Sequence, residues 1–234
     1  MLVVLQLFGG YAFAQTQQPK HSVLTTFSGS VGAKEQNLAL AIGHNIGVGK
    51  LNKFKVGYGL RLNSYFGAAK DYITAPARLT STRQDLGTLF SETIESNLDT
   101  VRFGTSQVNS LNLYINLEYH LAPKWDIGFN IDAAGFSFGG NQKGIVTTSL
   151  DGKNGRLVTA KPTLGNLLLT SDNDLGSLNS ELFVRYKIQT KWALQAGVTF
   201  LFTEYQTSEK VVLDNDRFRH KSLMGMVGIS YLIR

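Results

Sequence analysis

Cysteine is absent from the 234 residues, so the chain has neither a disulfide framework nor a thiolate nucleophile or metal ligand. Histidine is scarce: His21, His44, His120 and His220 are scattered, which is not the spacing of a histidine-built metal centre. No metal or organic cofactor is expected. Charged residues make up 17%, against about 25% in soluble domains, a shortfall of water-facing surface. No run of about 18 apolar residues occurs, so no segment qualifies as a transmembrane helix. With four prolines and 43% hydrophobic residues, wholesale disorder is also excluded. Gly-rich phosphate loops and nucleophile elbows are missing. No serine or carboxylate stands at a convincing height beside any histidine, so the chain is expected not to be an enzyme. No basic–aromatic cluster marks one soluble surface, and nucleic acid is not expected as a partner.

What is present begins with an apolar stretch, Leu2 to Phe13, ending in Ala12-Phe13-Ala14. The small-x-small ending is an export-signal pattern, although no basic residue precedes it. Residues 1–14 are therefore expected to be a signal peptide and 15–234 the folded domain. Beyond it, eight segments alternate apolar and polar with a period of two: 22–33, 35–48, 53–67, 107–121, 125–139, 177–189, 191–205 and 220–233. That period marks half-buried strands. The row Trp125, Ile127, Phe129, Ile131, Ala133 slips phase before Phe136 and Phe138, which predicts a bulge near Ala134 and Gly135. Short turns alternate with long connections at 68–106, 140–176 and 206–219. Structureless stretches of such length are unusual inside a compact soluble domain.

Eight strands, short turns at one end and long loops at the other predict an antiparallel up-and-down barrel. A soluble lipocalin-like barrel alternates as well, and the choice rests on which row faces out. The non-apolar row is small or neutral (Ala39, Ala41, Gly43, Gly57, Gly59, Gly128), whereas a water-facing row would carry more Lys and Glu. Aromatic residues of the apolar row gather by height: Phe54, Tyr119, Trp125, Tyr186, Trp192 and Tyr231 near the short turns, Phe66, Phe200 and Phe202 near the long loops. Two such girdles are what rings form at lipid–water interfaces. The apolar rows are thus expected to face lipid. Tyr231-Leu232-Ile233 is similar to the aromatic-x-hydrophobic ending of outer-membrane barrels, with Ile for the usual Phe and Arg234 added. The whole chain resembles small outer-membrane β-barrel families, OmpX- and OmpW-like proteins and the porin-family barrels of Bacteroidota. The resemblance implies residence in the outer membrane of a Gram-negative envelope, long extracellular loops, and contact with membrane lipids.

On the inward rows, Arg61, Asp132 and Glu181 are expected at one depth, and Glu118 and Arg185 lower down. Isolated buried charges cost several kcal/mol, so these are expected to pair across the lumen. The net charge of +6 is not in the outer loops: it lies near the short turns, at Lys20, Lys50, Lys53, Lys124, Lys187, Lys191 and Arg234. These suit phospholipid headgroups or an acidic periplasmic partner. Residues 78–90 and 156–168 share the pattern R-L-x3-[R/K]-x2-L-G-x-L-[F/L]. Leu86, Leu89 and Phe90 with Leu164, Leu167 and Leu168 are accordingly expected to form a lid over the barrel or a surface for a protein partner. Two function classes follow: a non-enzymatic structural, surface-interaction or envelope-complex barrel, or an OmpW-like conduit for small hydrophobic molecules, for which the many inward glycines would leave room.

Overall fold

The structure, a computed structural model, describes residues 17–80, 98–149, 152, 154–169, 173–211 and 214–234. The expected signal peptide and Leu86, Leu89 and Phe90 lie outside the described residues. Eleven antiparallel strands form one sheet: β1 (His21–Gly32), β2 (Glu35–Val48), β3 (Phe54–Thr74), β4 (Thr100–Ala122), β5 (Trp125–Phe138), β6 (Gln142–Thr148), β7 (Leu157–Pro162), β8 (Gly165–Leu167), β9 (Asn179–Lys187), β10 (Trp192–Thr207) and β11 (Arg217–Leu232). A single turn of helix, Ala77–Thr80, follows β3.

Eight of these strands close on themselves. In order β1-β2-β3-β4-β5-β9-β10-β11, each pairs with the next, and β11 returns to β1 with Thr25 opposite Tyr231 and Val31 opposite Gly225. Closure leaves this lower ring without an edge, the arrangement that removes unpaired ladder groups. The phase slip in β5 has its cause here. Leu113 faces Ala134 while Tyr114 faces Asp132, so Ala133 is the extra residue, one position from where the sequence predicts the bulge. Beyond it Phe136 and Phe138 point outward, each 46% exposed.

The connections 68–106, 140–176 and 206–219, expected as loops, carry strand at 68–74, 100–106, 142–148, 157–162, 165–167, 206–207 and 217–219. β3 and β4 continue upward to pair Ile73 with Thr100, β6 and β7 form a hairpin on β4, and β7 joins β10 through Tyr205 opposite Pro162. Above the β1–β2 hairpin, β11 turns directly onto β3, Phe218 opposite Thr74. The result is a second closed circuit of six strands, β3-β4-β6-β7-β10-β11, stacked on the first. Alternation alone could not separate these strands from loops, because their polar face carries the Thr, Lys and Gln that loops also carry.

The two rings have opposite faces. In the lower ring the outward row is apolar and exposed (Leu40 53%, Leu113 54%, Leu223 68%), while Arg61, Asn112, Asp132 and Thr199 are buried inside. In the upper ring Tyr72, Val101, Phe103, Val146, Val158, Ala160, Tyr205 and Phe218 make one apolar core, with Asp71 and Arg102 paired outside at 2.6 Å. Tyr72 packs edge-on against Phe103 at 5.1 Å and Tyr205 at 5.2 Å. Burial pushes the Tyr205 phenol up to about 12 and that of Tyr72 higher still. Both therefore serve as neutral hydroxyls, Tyr72 bonded to the Thr203 hydroxyl and Tyr205 donating to the Gln107 carbonyl.

Phe103 touches both tyrosines and has no exposed surface. Phe103→Ala is expected to cost the upper ring about 3–5 kcal/mol through the cavity it leaves. The check is limited proteolysis of folded protein: new cleavages between residues 98 and 149, with the heat-sensitive gel mobility of the lower ring retained.

Candidate functional site

The interior of the lower ring is the part of the molecule richest in chemistry. Arg61, on β3, reaches across to β5. Its Nε donates to Asp132 Oδ1 at 2.9 Å and its Nη2 to the same oxygen at 2.5 Å, while Nη1 meets Glu181 at 3.1 Å and Asn130 at 2.5 Å. Nη2 also donates to the Asn179 carbonyl, and the guanidinium lies 5.3 Å from the Tyr114 ring. Asp132 Oδ2 in turn accepts from Asn112 and from the Asn179 backbone. Asn166 donates to Asn112, and Ser137 donates to Asn166. The structure thus brings Arg61, Asp132 and Glu181 together, and also Glu118 with Arg185 lower down.

The lower tier holds more charge than the two residues read from the sequence. Asp126 accepts from Lys187 at 3.1 Å, and Lys55 lies buried in the field of Glu118 and Asp126. Four basic side chains (Lys55, Arg61, Arg185, Lys187) therefore meet four acidic ones (Glu118, Asp126, Asp132, Glu181). Lys187, expected at the headgroup rim, shares the inward row of Arg185, which stands opposite Asp126, and its half-buried side chain pairs with that carboxylate.

The expectation that no histidine has a carboxylate beside it is corrected. His120 Nδ1 lies 2.6 Å from Asp126, and His220 Nε2 lies 3.0 Å from Glu35. His120 and Asp126 are cross-strand partners of the β4–β5 hairpin, whereas His220 and Glu35 are 185 residues apart and height along a strand does not reveal their contact. Glu35 Oε2 is a hub that also accepts from Ser222 at 2.8 Å, Tyr65 at 2.9 Å and Lys70 at 2.9 Å. It fills the seam where the β1–β2 hairpin ends and β3 approaches β11. Ser222 donates to Glu35 rather than to His220 and has no exposed surface, so a substrate has no approach to it. His220 Nδ1 faces the Asp71 carbonyl. The cluster is a clasp. Among the described residues no group of three or more His, Cys, Asp or Glu is arranged to hold a metal.

The inward glycines do not leave open space. A Cβ on Gly43 would stand 2.2 Å from the Tyr114 hydroxyl, and one on Gly128 would stand 2.4 Å from the Phe183 ring. Both rings lie across the lumen in the room that glycine supplies. The cavity bounded by Tyr114, Asn116, Asn130 and Gln195 is about 20 Å³, the size of a single water. Above it Tyr65, Leu201 and Met224 form an apolar layer, and then the upper core begins.

On the outer wall, the six rings near the short turns pair across strands. Phe54 faces Tyr119, Trp125 lies 4.7 Å from Tyr186, and Trp192 lies 4.7 Å from Tyr231. Lys124 and Lys191 sit 5.9 Å over the tyrosines. Leu164, Leu167 and Leu168 do not sit over the opening. β8 extends the wall above β9, with Leu167 opposite Ala134, and Leu164 is 70% and Leu167 43% exposed on that wall; Leu168 bonds its N–H to the Ala133 carbonyl and is half-buried. Its sequence echo at 78–90 shares only the one-turn helix among described residues. Higher on the wall Glu204, fully buried, is held between Arg217 (2.7 Å) and Arg219 (2.9 Å). On the upper ring a recess of about 450 Å³ is lined by Thr159, Lys161, Gln206, Ser208 and Lys210. The sequence signal for that recess is weak, since Asn141 and Asp216 also line it and its residues come from four separate segments.

No family model matches the chain and no curated protein is similar to it. Among solved structures it is similar to a de novo designed transmembrane beta-barrel (10% identity, 93% of this chain and 99% of that one, TM-score 0.37). It is likewise similar to Neisserial surface protein A (9%, 90% and 94%, 0.35) and to the outer membrane protein Ail of Yersinia pestis (8%, 92% and 100%, 0.39). Overlaps of this size carry no inference, and the functional reading rests on strand pairing and on which faces are apolar. The interior network yields its own expectation. Arg61→Met leaves Asp132 and Glu181 buried without their cation and is expected to cost about 3–5 kcal/mol, measured as a shifted urea midpoint of protein folded in lipid vesicles.

Proposed function

We propose that the chain is a non-enzymatic outer-membrane β-barrel. Its lower ring crosses the membrane, and its upper ring stands outside the cell as a closed, apolar-cored platform for surface contacts. The observation that carries this reading is the inversion of faces along continuous strands. A sheet that shows leucine outward and asparagine inward suits hydrocarbon, and one that shows the reverse suits water. β3 has 21 residues and β4 has 23, whereas crossing takes about 9–11. The surplus is what builds the upper ring. Paired aromatic rings with lysines above them, at the short-turn end, match an interface with lipid headgroups.

The conduit reading lacks support. A lumen crossed by Tyr114 and Phe183, tied by the Arg61 network and roofed by Tyr65, Leu201 and Met224 gives no path for a solute. The platform reading gains a specific surface, the recess beside Lys161 and Lys210, although nothing in it names a ligand.

Two measurements test the proposal. Purified protein in planar bilayers is expected to give no discrete single-channel steps, and regular steps would restore the conduit. In intact cells a cysteine placed at Leu157 is expected to react with a membrane-impermeant maleimide, and one at Lys124 to react only after the envelope is opened. The opposite labelling pattern would overturn the orientation.

A further inference from the structure

The outer row of β1 to β3 in the lower ring is interrupted by three polar rings. His21 stands opposite Ile46 and His44 opposite Val23 in the β1–β2 ladder, which makes the two imidazoles diagonal neighbours on one face. Tyr58 stands opposite His44 in the next ladder. The residues flanking His44 on its row, Ile42 and Ile46, are apolar, so a polar trio here needs a reason beyond packing.

We infer that His21 and His44 form a surface site for a divalent transition-metal ion, with Tyr58 as a positioning residue. His21 Nδ1 and His44 Nε2 are 3.2 Å apart. Two ring nitrogens facing each other repel through their lone pairs unless a proton or a cation lies between them. A separation of about 3.2–3.4 Å is also what two imidazoles span when each lies about 2.0–2.1 Å from one tetrahedral ion. The second nitrogen of His44, Nδ1, lies 3.4 Å from the Tyr58 hydroxyl, and that ring meets the imidazole edge-on at 88°. A contact on the far nitrogen fixes the tautomer and plane of a metal-bound imidazole. His21 is the first residue of β1 and stands opposite Ile46, two residues from the end of β2, so the pair lies at the short-turn rim, where water and headgroup oxygens can complete the coordination of an ion. Imidazole donors without carboxylates select Zn²⁺, Ni²⁺ or Cu²⁺ over Ca²⁺ and Mg²⁺, which require oxygen ligands.

The test uses the mature chain without a polyhistidine tag, folded in detergent micelles, titrated with Cu²⁺ and Ni²⁺ by calorimetry and followed by Cu²⁺ paramagnetic resonance. One ion per chain is expected, Cu²⁺ bound more tightly than Ni²⁺, with hyperfine structure from two nitrogens. His21→Gln and His44→Gln should each weaken binding about tenfold or more, and Tyr58→Phe by about tenfold with the stoichiometry kept. His120→Gln and His220→Gln should leave it unchanged. Gel mobility before and after heating checks that every variant is folded. Equal binding by wild type and the His21→Gln/His44→Gln double variant would overturn the site, as would uptake of Ca²⁺ as strong as that of Ni²⁺. In either case the two nitrogens share only a proton.

Discussion

The interaction on which the rest depends is the ladder between the first strand and the last. β1 and β11 pair from Leu24–Leu232 to Val31–Gly225, and without that seam the sheet would end in two open edges. In hydrocarbon no water satisfies an unpaired N–H or carbonyl, at a cost of several kcal/mol each. On the proposed membrane-spanning reading, closure is therefore a condition of existence for the lower ring. It also explains the apolar C-terminal segment. Leu223, Val227 and Ile229 are outer-wall residues of the closing strand, more exposed than ordinary tail residues would tolerate.

Closure has to be achieved twice, because the number of strands changes with height. The β1–β2 hairpin stops at Ala33 and Lys34, the latter with φ 59°. β5 and β9 stop as well, and β6 and β7 take their place. Each change of strand number opens a wedge in the wall, and polar side chains fill both wedges. Glu35 gathers Lys70, His220, Ser222 and Tyr65 where β3 swings toward β11. Asn166 and Asp132 tie β8 into the interior where β9 begins late. A hydrogen-bonded hub suits such places better than an apolar plug, because the strand ends there present backbone groups that need partners.

Much of this was legible in the sequence, for one physical reason. Period-two alternation reports which face a residue occupies, so the outward rows, the bulge in β5, the eight segments and the facing of Arg61, Asp132 and Glu181 followed from spacing alone. What alternation cannot report is the partner across the lumen. Asn112, Asn130 and Asn179, which spacing alone places only on the inward face, are cross-links between the charges. The inward glycines looked like open space because Tyr114 and Phe183, which fill it, lie far away in sequence. The carboxylate of His220 was hidden on the same ground, since Glu35 lies 185 residues away, whereas that of His120 follows only once the register of the β4–β5 hairpin is fixed. The upper ring was hidden for a different reason: β6 and β7 are short, and the polar outer residues of its wall are those of loops. Of the Leu-Gly-x-Leu repeat, Leu164 and Leu167 lie exposed along the outer wall, and the leucines of the first copy lie outside the described residues.

The filled interior and the extended wall are two sides of one choice. Eight strands enclose a space just wide enough for side chains. That space is either left wet, with small residues and a path through it, or filled with groups that satisfy one another. This chain fills it. Once Arg61 is buried, it requires Asp132 and Glu181. Once those carboxylates are buried, their remaining lone pairs require Asn112, Asn130 and the Asn179 backbone. A network of this kind is stable only when complete, since a half-satisfied one leaves charges in a low dielectric. The same logic fixes the shape of the wall above. With the interior of the lower ring filled, the strands narrow to six and bury an aromatic core, and the outward row turns polar there. The surface this leaves for contacts is the outer wall of the two rings rather than the axis through them.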